Sequence, residues 1–266
     1  MYLRVLQTEF LKIKRSVVLW LTLIYPLGTV FLISLFLYGD NNLPDNPWLT
    51  FCKHLNDTAS FFIPFYIVLI TGYICFNEHK SNTLKHIYAQ PISRFNLFIG
   101  KISIIFILLF ITFILFILLA YLAGFILNFV SSRLPFKLNS LPFQHFLTIF
   151  TRTYLSCFLI VVFQHWLSFR LKNLVLPIAI GIILIILPIG ILMVLGITRL
   201  ISDPKLFKYV FEYDPFTYPF SSIFQFKPGK KIAEESIFTS LRVLYFILSL
   251  ILLAFSYLDL NRRHIK

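Results

Sequence analysis

The sequence predicts an all-α membrane protein with six transmembrane helices, an N-terminal amphipathic interfacial helix and a short cytoplasmic coupling helix between spans two and three. Three observations carry this. Of 266 residues, 58% are apolar and only 13% charged, whereas soluble domains carry about 25% charged residues. Mean hydropathy is +0.84. Six separate apolar runs are each close to the ~20 residues that cross a bilayer. This composition excludes an ordinary soluble domain and also a disordered chain, which needs low hydrophobicity and high charge density.

The runs are 17–38, 58–76, 102–130, 147–169, 174–198 and 237–258, and together they leave no room for a second large domain, so residues 1–266 read as one transmembrane unit. The first run is too long for a cleavable signal peptide and no small-x-small site follows it, so it is expected to stay as a span. The third run, 102–130, would be roughly 43 Å long at about 1.5 Å per residue, so it must tilt or project beyond the hydrocarbon. Pro26, Pro64, Pro177 and Pro188 interrupt the runs. Kinks of this kind are tolerated where neighbouring helices satisfy the freed carbonyls. Abundant Phe (32 residues) predicts helices packed through large side chains.

Six crossings put both termini on one side. Placing them in the cytoplasm gives segments 1–16, 77–101, 170–173 and 259–266, which hold 13 Lys and Arg residues. The short outer connections show only Lys53, Arg133, Lys137 and Arg152, and the first of them also holds Asp40, Asp45 and Asp57. The excess of cations predicts a multi-pass membrane protein with both termini cytoplasmic. The net charge of +13 is therefore a topology and headgroup signal, not a nucleic-acid footprint.

At the N-terminus, Leu3, Leu6, Phe10 and Ile13 recur at helical spacing, with Arg4, Lys12, Lys14 and Arg15 largely off that stripe. This reads as a helix lying in the interface, with a plain basic flank as the alternative. In the connection between spans two and three, Leu84, Ile87 and Tyr88 have helical spacing, Thr83 can cap the helix and Pro91 ends it. An apolar stripe outside the membrane calls for a docking groove or for the lipid surface.

The ordered motifs resemble ABC-2 type transporter permeases. They are E-x-x-K-x-K-R-S (Glu9, Lys12, Lys14, Arg15, Ser16) and, after span two, Glu78, Thr83, Leu84, Pro91, Ser93, Arg94 and Lys101. A third, Q-x-x-L-S-x-R-x-x-N (Gln164, Leu167, Ser168, Arg170, Asn173), resembles the branch that contains bacitracin and lantibiotic-immunity permeases. The resemblance implies a permease subunit of an ATP-binding-cassette exporter. Its partners would be an ABC ATP-binding subunit, which binds the coupling helix in a cleft, and a second permease chain. The contact residues it implies are Glu9, Glu78, Asn82, Thr83, Leu84, Lys85, Ile87, Tyr88, Pro91 and Arg94. It also implies that the segment between spans five and six re-enters the outer leaflet, where Phe207, Val210, Phe211, Pro215, Phe216, Pro219, Phe220 and Phe224 supply apolar surface.

No catalytic, cofactor or metal residue is expected in the chain. The sequence contains no G-x-x-x-x-G-K-[ST], so ATP and Mg belong to the partner. Cys52, Cys75 and Cys157 form no C-x-x-C, and the six histidines form no H-E-x-x-H. An ion-coupled secondary transporter or channel is the main alternative. It is disfavoured because the middles of the six runs lack Asp, Glu, Lys and Arg, while Arg152, His165 and Arg242 fall near run ends, where they can snorkel. A membrane enzyme would need a nucleophile with its base or a metal cluster, and the sequence offers neither.

Overall fold

The computed structural model describes residues 2–14, 16–39, 46–80, 93–130, 136, 143–171, 173–197, 204–220 and 237–262. In chain order these form α1 (Tyr2–Ile13), α2 (Val17–Gly39), α3 (Pro47–Lys80), α4 (Arg94–Val130), α5 (Phe143–Ser156), α6 (Phe158–Arg170), α7 (Val175–Ile197), α8 (Pro204–Tyr213), a 3₁₀ turn (Tyr218–Phe220) and α9 (Ser240–Arg262). There is no strand among the described residues. Six stretches are long and apolar enough to cross a membrane: α2, α3 as far as Asn77, α4, α5 and α6 together, α7 as far as Leu195, and α9.

Two helices outrun the apolar stretches. α3 begins at Pro47, well before residue 58. Asn46 caps it, with Oδ1 accepting from Leu49 N at 3.3 Å and the backbone carbonyl accepting from Thr50 N at 3.1 Å. Pro47 suits the first helical position, where no N–H is needed. Trp48, Phe51, Cys52, Leu55 and Ala59 are all buried on one face of this extension. α4 likewise begins at Arg94, before residue 102. At about 1.5 Å per residue α3 and α4 are roughly 51 and 56 Å long, so both reach beyond a ~30 Å hydrocarbon layer.

α2 packs between α3 and α4, α6 lies between α3 and α9, and α7 lies against α3. One turn residue, Cys157, separates α5 from α6 in the fourth span, and its N donates to both the Thr153 and Tyr154 carbonyls at 3.1 and 3.2 Å. Aromatic rings join α4 to α5 and α6 along most of their length. Phe106 meets Phe158 at 4.5 Å, Phe113 meets Phe150 at 5.3 Å and Tyr121 meets Phe146 at 5.5 Å. Large side chains thus do the packing that small residues do in many membrane bundles.

One polar knot ties three helices together. Tyr66 of α3 places its hydroxyl 3.1 Å from Thr22 Oγ1 of α2 and 2.8 Å from Thr112 Oγ1 of α4. Its ring stacks on Tyr25 at 4.9 Å, and the Tyr25 hydroxyl donates to the Ala59 carbonyl at 2.7 Å. The outward face of α2, including Trp20, Ile24, Leu27 and Phe31, is exposed and apolar, as a lipid-facing surface must be.

Candidate coupling site

The segment 81–92 joins α3 to α4, and its two roots lie at the face of the bundle that also carries α1 and the end of α9. Asn82, Thr83, Leu84, Lys85, Ile87, Tyr88 and Pro91 lie outside the described residues, and for Glu78 the backbone alone is described, at the end of α3. Arg94 opens α4 and is exposed.

α1 crosses the start of α4 at close range. A Cβ on Gly100 would lie 2.8 Å from Val5 Cγ1, so only glycine admits this approach. The Tyr2 hydroxyl donates to Ser103 Oγ at 2.8 Å. Val5, Glu9 and Ile13 are the buried residues of α1, recurring every fourth position, while Leu3, Phe10 and Leu11 on its other side are exposed. Glu9 is only 3% exposed and accepts a 2.6 Å bond from Lys12 Nζ. It therefore faces α4, not an open docking surface. A tight turn then leads into α2, with Ser16 N donating to the Ile13 carbonyl at 2.9 Å.

Behind α1 lies a buried polar and aromatic layer. Lys101, 3% exposed, sits with Nζ 5.1 Å from the centre of the Phe169 ring and within electrostatic range of Glu9 and Cys75. His165 is fully buried, its ring 5.1 Å from Phe98 and 5.8 Å from Phe169. Neither of its ring nitrogens finds a hydrogen-bond partner among the described residues. Tyr257 of α9 lies against both Phe95 and Phe98 at the start of α4, at 5.3 and 5.9 Å. Trp166 Nε1 donates to Asp259 at 3.1 Å, and Arg170 lies 5.3 Å over the Trp166 ring.

Gln164 and Asn173 of the Gln164–Asn173 motif have local tasks at the α6–α7 hairpin. Gln164 Nε2 donates to the Pro177 carbonyl at 2.9 Å, across the α6–α7 hairpin. A Cβ on Gly181 would lie 2.7 Å from Gln164 Oε1, so α7 can come this near only through glycine. Asn173 Oδ1 accepts from Val175 N at 3.1 Å and opens α7. Ser168 is buried beside them in sequence. The result is a tied α6–α7 hairpin, with His165 of α6 meeting Phe98 at the α4 root.

The expectation that Arg152, His165 and Arg242 snorkel to the surface is not met. They are 6%, 0% and 4% exposed. α5 begins at Phe143, ahead of its apolar run, so Arg152 lies inside a longer helix, and His165 is covered by Phe98 of α4. Arg242 is held by its own chain, with Nη1 donating to the Ile237 carbonyl at 2.7 Å.

At the opposite side, the 199–236 segment is described from Pro204 to Phe220. Phe216 meets Phe163 of α6 at 5.3 Å, and Phe220 stacks on Phe61 of α3 at 5.1 Å. The turn is thus wedged between α3 and α6. Asp214 shapes it, accepting from Thr217 N at 2.9 Å and from Thr217 Oγ1 at 2.7 Å. Burial raises the Asp214 carboxyl above the usual carboxylate range, and the Thr217 bonds oppose that shift. The Tyr245 hydroxyl donates to the Glu212 carbonyl at 2.9 Å and ties the wedge to α9.

The sequence singles out Glu9, Arg94 and the 81–92 segment as contact residues and His165 as a run-end residue, but it does not single out Val5 or Gly100, which set the α1–α4 approach. The available signal was the i, i+4, i+8 register that puts Glu9 on one stripe with Val5 and Ile13. No group of three or more metal-ligating side chains occurs among the described residues.

A family model described as "ABC-2 family transporter protein" matches residues 5–188, most of the chain, from α1 into α7. No match was found among curated proteins.

Proposed function

We infer that this chain, which belongs to the ABC-2 transporter family and is thus a multi-pass membrane component of an ABC transporter, is the permease subunit of an exporter driven by a separate ATP-binding subunit. The observation that carries this reading is the anchoring of both long helices, α3 and α4, around the 81–92 connection. α1, α6 and α9 all brace the α4 root through Gly100, Phe98 and Tyr257. A force on that connection is therefore delivered to two stiff rods of about 50 Å, and through α3 to the Phe220 wedge.

In this reading the ATP-binding partner holds ATP and Mg and changes shape as it turns over. Residues 82–91, with Glu78 and Arg94 at the flanks, seat in its cleft. Glu9 contributes from inside, by fixing α1 to the α4 root. The partner moves the permease only to the extent that it binds one permease state better than another. Two permease chains and two ATP-binding chains complete the pump, in the bacterial cytoplasmic membrane with both termini cytoplasmic. The Gln164–Asn173 motif favours the bacitracin and lantibiotic-immunity branch, hence peptides or amphiphiles as cargo.

The test is to co-express the tagged chain with its candidate ATP-binding subunit and replace Thr83–Ala89 by a Gly/Ser linker. Loss of co-purification with an intact fold supports the reading, and undiminished binding sinks it. Membrane-impermeant labelling of a cysteine at Ser81 from outside the cell would overturn the orientation.

A further inference from the structure

α1 and α4 do not close completely against each other. Between them lies an open groove of about 440 Å³, lined by Leu6, Gln7, Phe10, Leu11, Ile104 and Ile107. That volume falls within the range of about 300–1,000 Å³ of ligand sites. The groove runs beside the outer surface of the α4 span, so it opens to lipid, and apart from Gln7 its lining is apolar.

Apolar lining alone selects nothing in a membrane, because lipid tails are as apolar as leucine. Charge at the rim does select. Lys14 N donates to the Phe10 carbonyl at 3.2 Å, so helical geometry continues through Lys14 and places it on the Phe10–Leu11 side of α1. Lys14 is exposed and forms no ion pair among the described residues. Lys12, by contrast, is already engaged by Glu9 on the opposite side of the helix. The groove face of α1 therefore carries a cation and no acidic residue, next to an apolar trough at the depth of the membrane boundary.

We propose that this groove binds one anionic glycerophospholipid, its acyl chain lying between Phe10 and Ile107 and its phosphate held by Lys14, with the Gln7 amide donating to the ester region. The lipid completes the α1–α4 contact that Val5 and Gly100 begin. The inference requires only that the spans lie in a bilayer and is independent of the ATP-binding partner.

Native mass spectrometry of the full chain tests it. Delipidated protein is offered equimolar phosphatidylglycerol and phosphatidylcholine. The wild type is expected to retain one phosphatidylglycerol per chain in preference to phosphatidylcholine. Lys14→Glu should lower that retention at least about five-fold, the usual effect of one cation near an anionic surface. Ile107→Trp, which fills the groove, should lower it similarly. Ile191→Trp, at an exposed position on α7, should change nothing. Size-exclusion profiles confirm folding, and Lys14→Glu, a surface change, keeps the test decisive if Ile107→Trp misfolds. Equal retention of the two lipids, or equal losses with Ile107→Trp and Ile191→Trp, would overturn the proposal.

Discussion

Replacing Tyr66 by Phe removes one oxygen from the only knot described that links α2, α3 and α4. Tyr66 is 4% exposed, so no water restores what is lost. Four contacts meet there, two between Tyr66 and the threonines and two from the threonines back to the Val18 and Leu108 carbonyls, at 2.8 and 2.9 Å. Three hydroxyl protons serve those four contacts. In the variant both threonines keep their carbonyl bonds, so no donor is orphaned and the large penalty for an unsatisfied buried group does not arise. What disappears is one interhelical hydrogen bond, made by the single Tyr66 proton and worth about 0.6 kcal/mol on average and about 1.7 at most, together with a second polar contact that no proton serves. The expected loss is thus about 1–2 kcal/mol, which lowers the thermal midpoint in mild detergent by about 2–8 °C for a chain of this size. A double-mutant cycle with Thr112→Val should return a coupling of about 0.6–1.7 kcal/mol. Strict additivity, or a loss above about 4 kcal/mol, would refute the accounting.

Other perturbations probe the coupling site and the wedge. Gly100→Val drives a side chain into Val5; overpacking of this kind costs about 1–3 kcal/mol, and it should detach α1 and shorten the half-time of tryptic cleavage after Lys14. Unchanged cleavage would show that α1 is not held there. His165→Phe replaces an imidazole with two unbonded buried nitrogens by a ring that suits Phe98 and Phe169, so the thermal midpoint should rise, by an amount equivalent to about 1–3 kcal/mol. A fall would mean that the imidazole has a buried water partner. For Asp214 the folded pKa lies above the unfolded value, so the folded state holds the proton more tightly. Its contribution to stability is greatest below the unfolded value of about 4 and is lost as pH rises through the raised folded value. Asp214→Asn should flatten that dependence in melts recorded between pH 4 and 7, and an unchanged slope would contradict the assignment.

The spans were legible because each depends on one quantity, about 20 apolar residues in a row. The extension of α3 was not, because Lys53, His54, Asn56 and Asp57 break the hydropathy while Trp48, Phe51, Cys52, Leu55 and Ala59 quietly keep the helical period. The start of α5 at Phe143, ahead of its apolar run, likewise moves Arg152 from a run end into the body of a helix. At the site, the polarity of Glu9 suggested exposure, but its register with Val5 and Ile13 decides its place. A hydropathy window averages over faces and therefore hides both features. The wedge needs tertiary partners, Phe61, Phe163 and Tyr245, that are far from it in sequence.

The central claim, that this chain moves when force arrives through 81–92 and not by itself, is tested most directly by distance measurement. Spin labels at Asn77→Cys and Asn261→Cys sit at exposed helix ends, and the three native cysteines are buried and inert to labelling. In liposomes containing the candidate ATP-binding subunit, ATP with vanadate should shift the distance distribution, and the chain alone, or with Thr83–Ala89 replaced by the linker, should show no shift. An unchanged distribution in the complete complex, or an equal shift without the partner, would contradict the account.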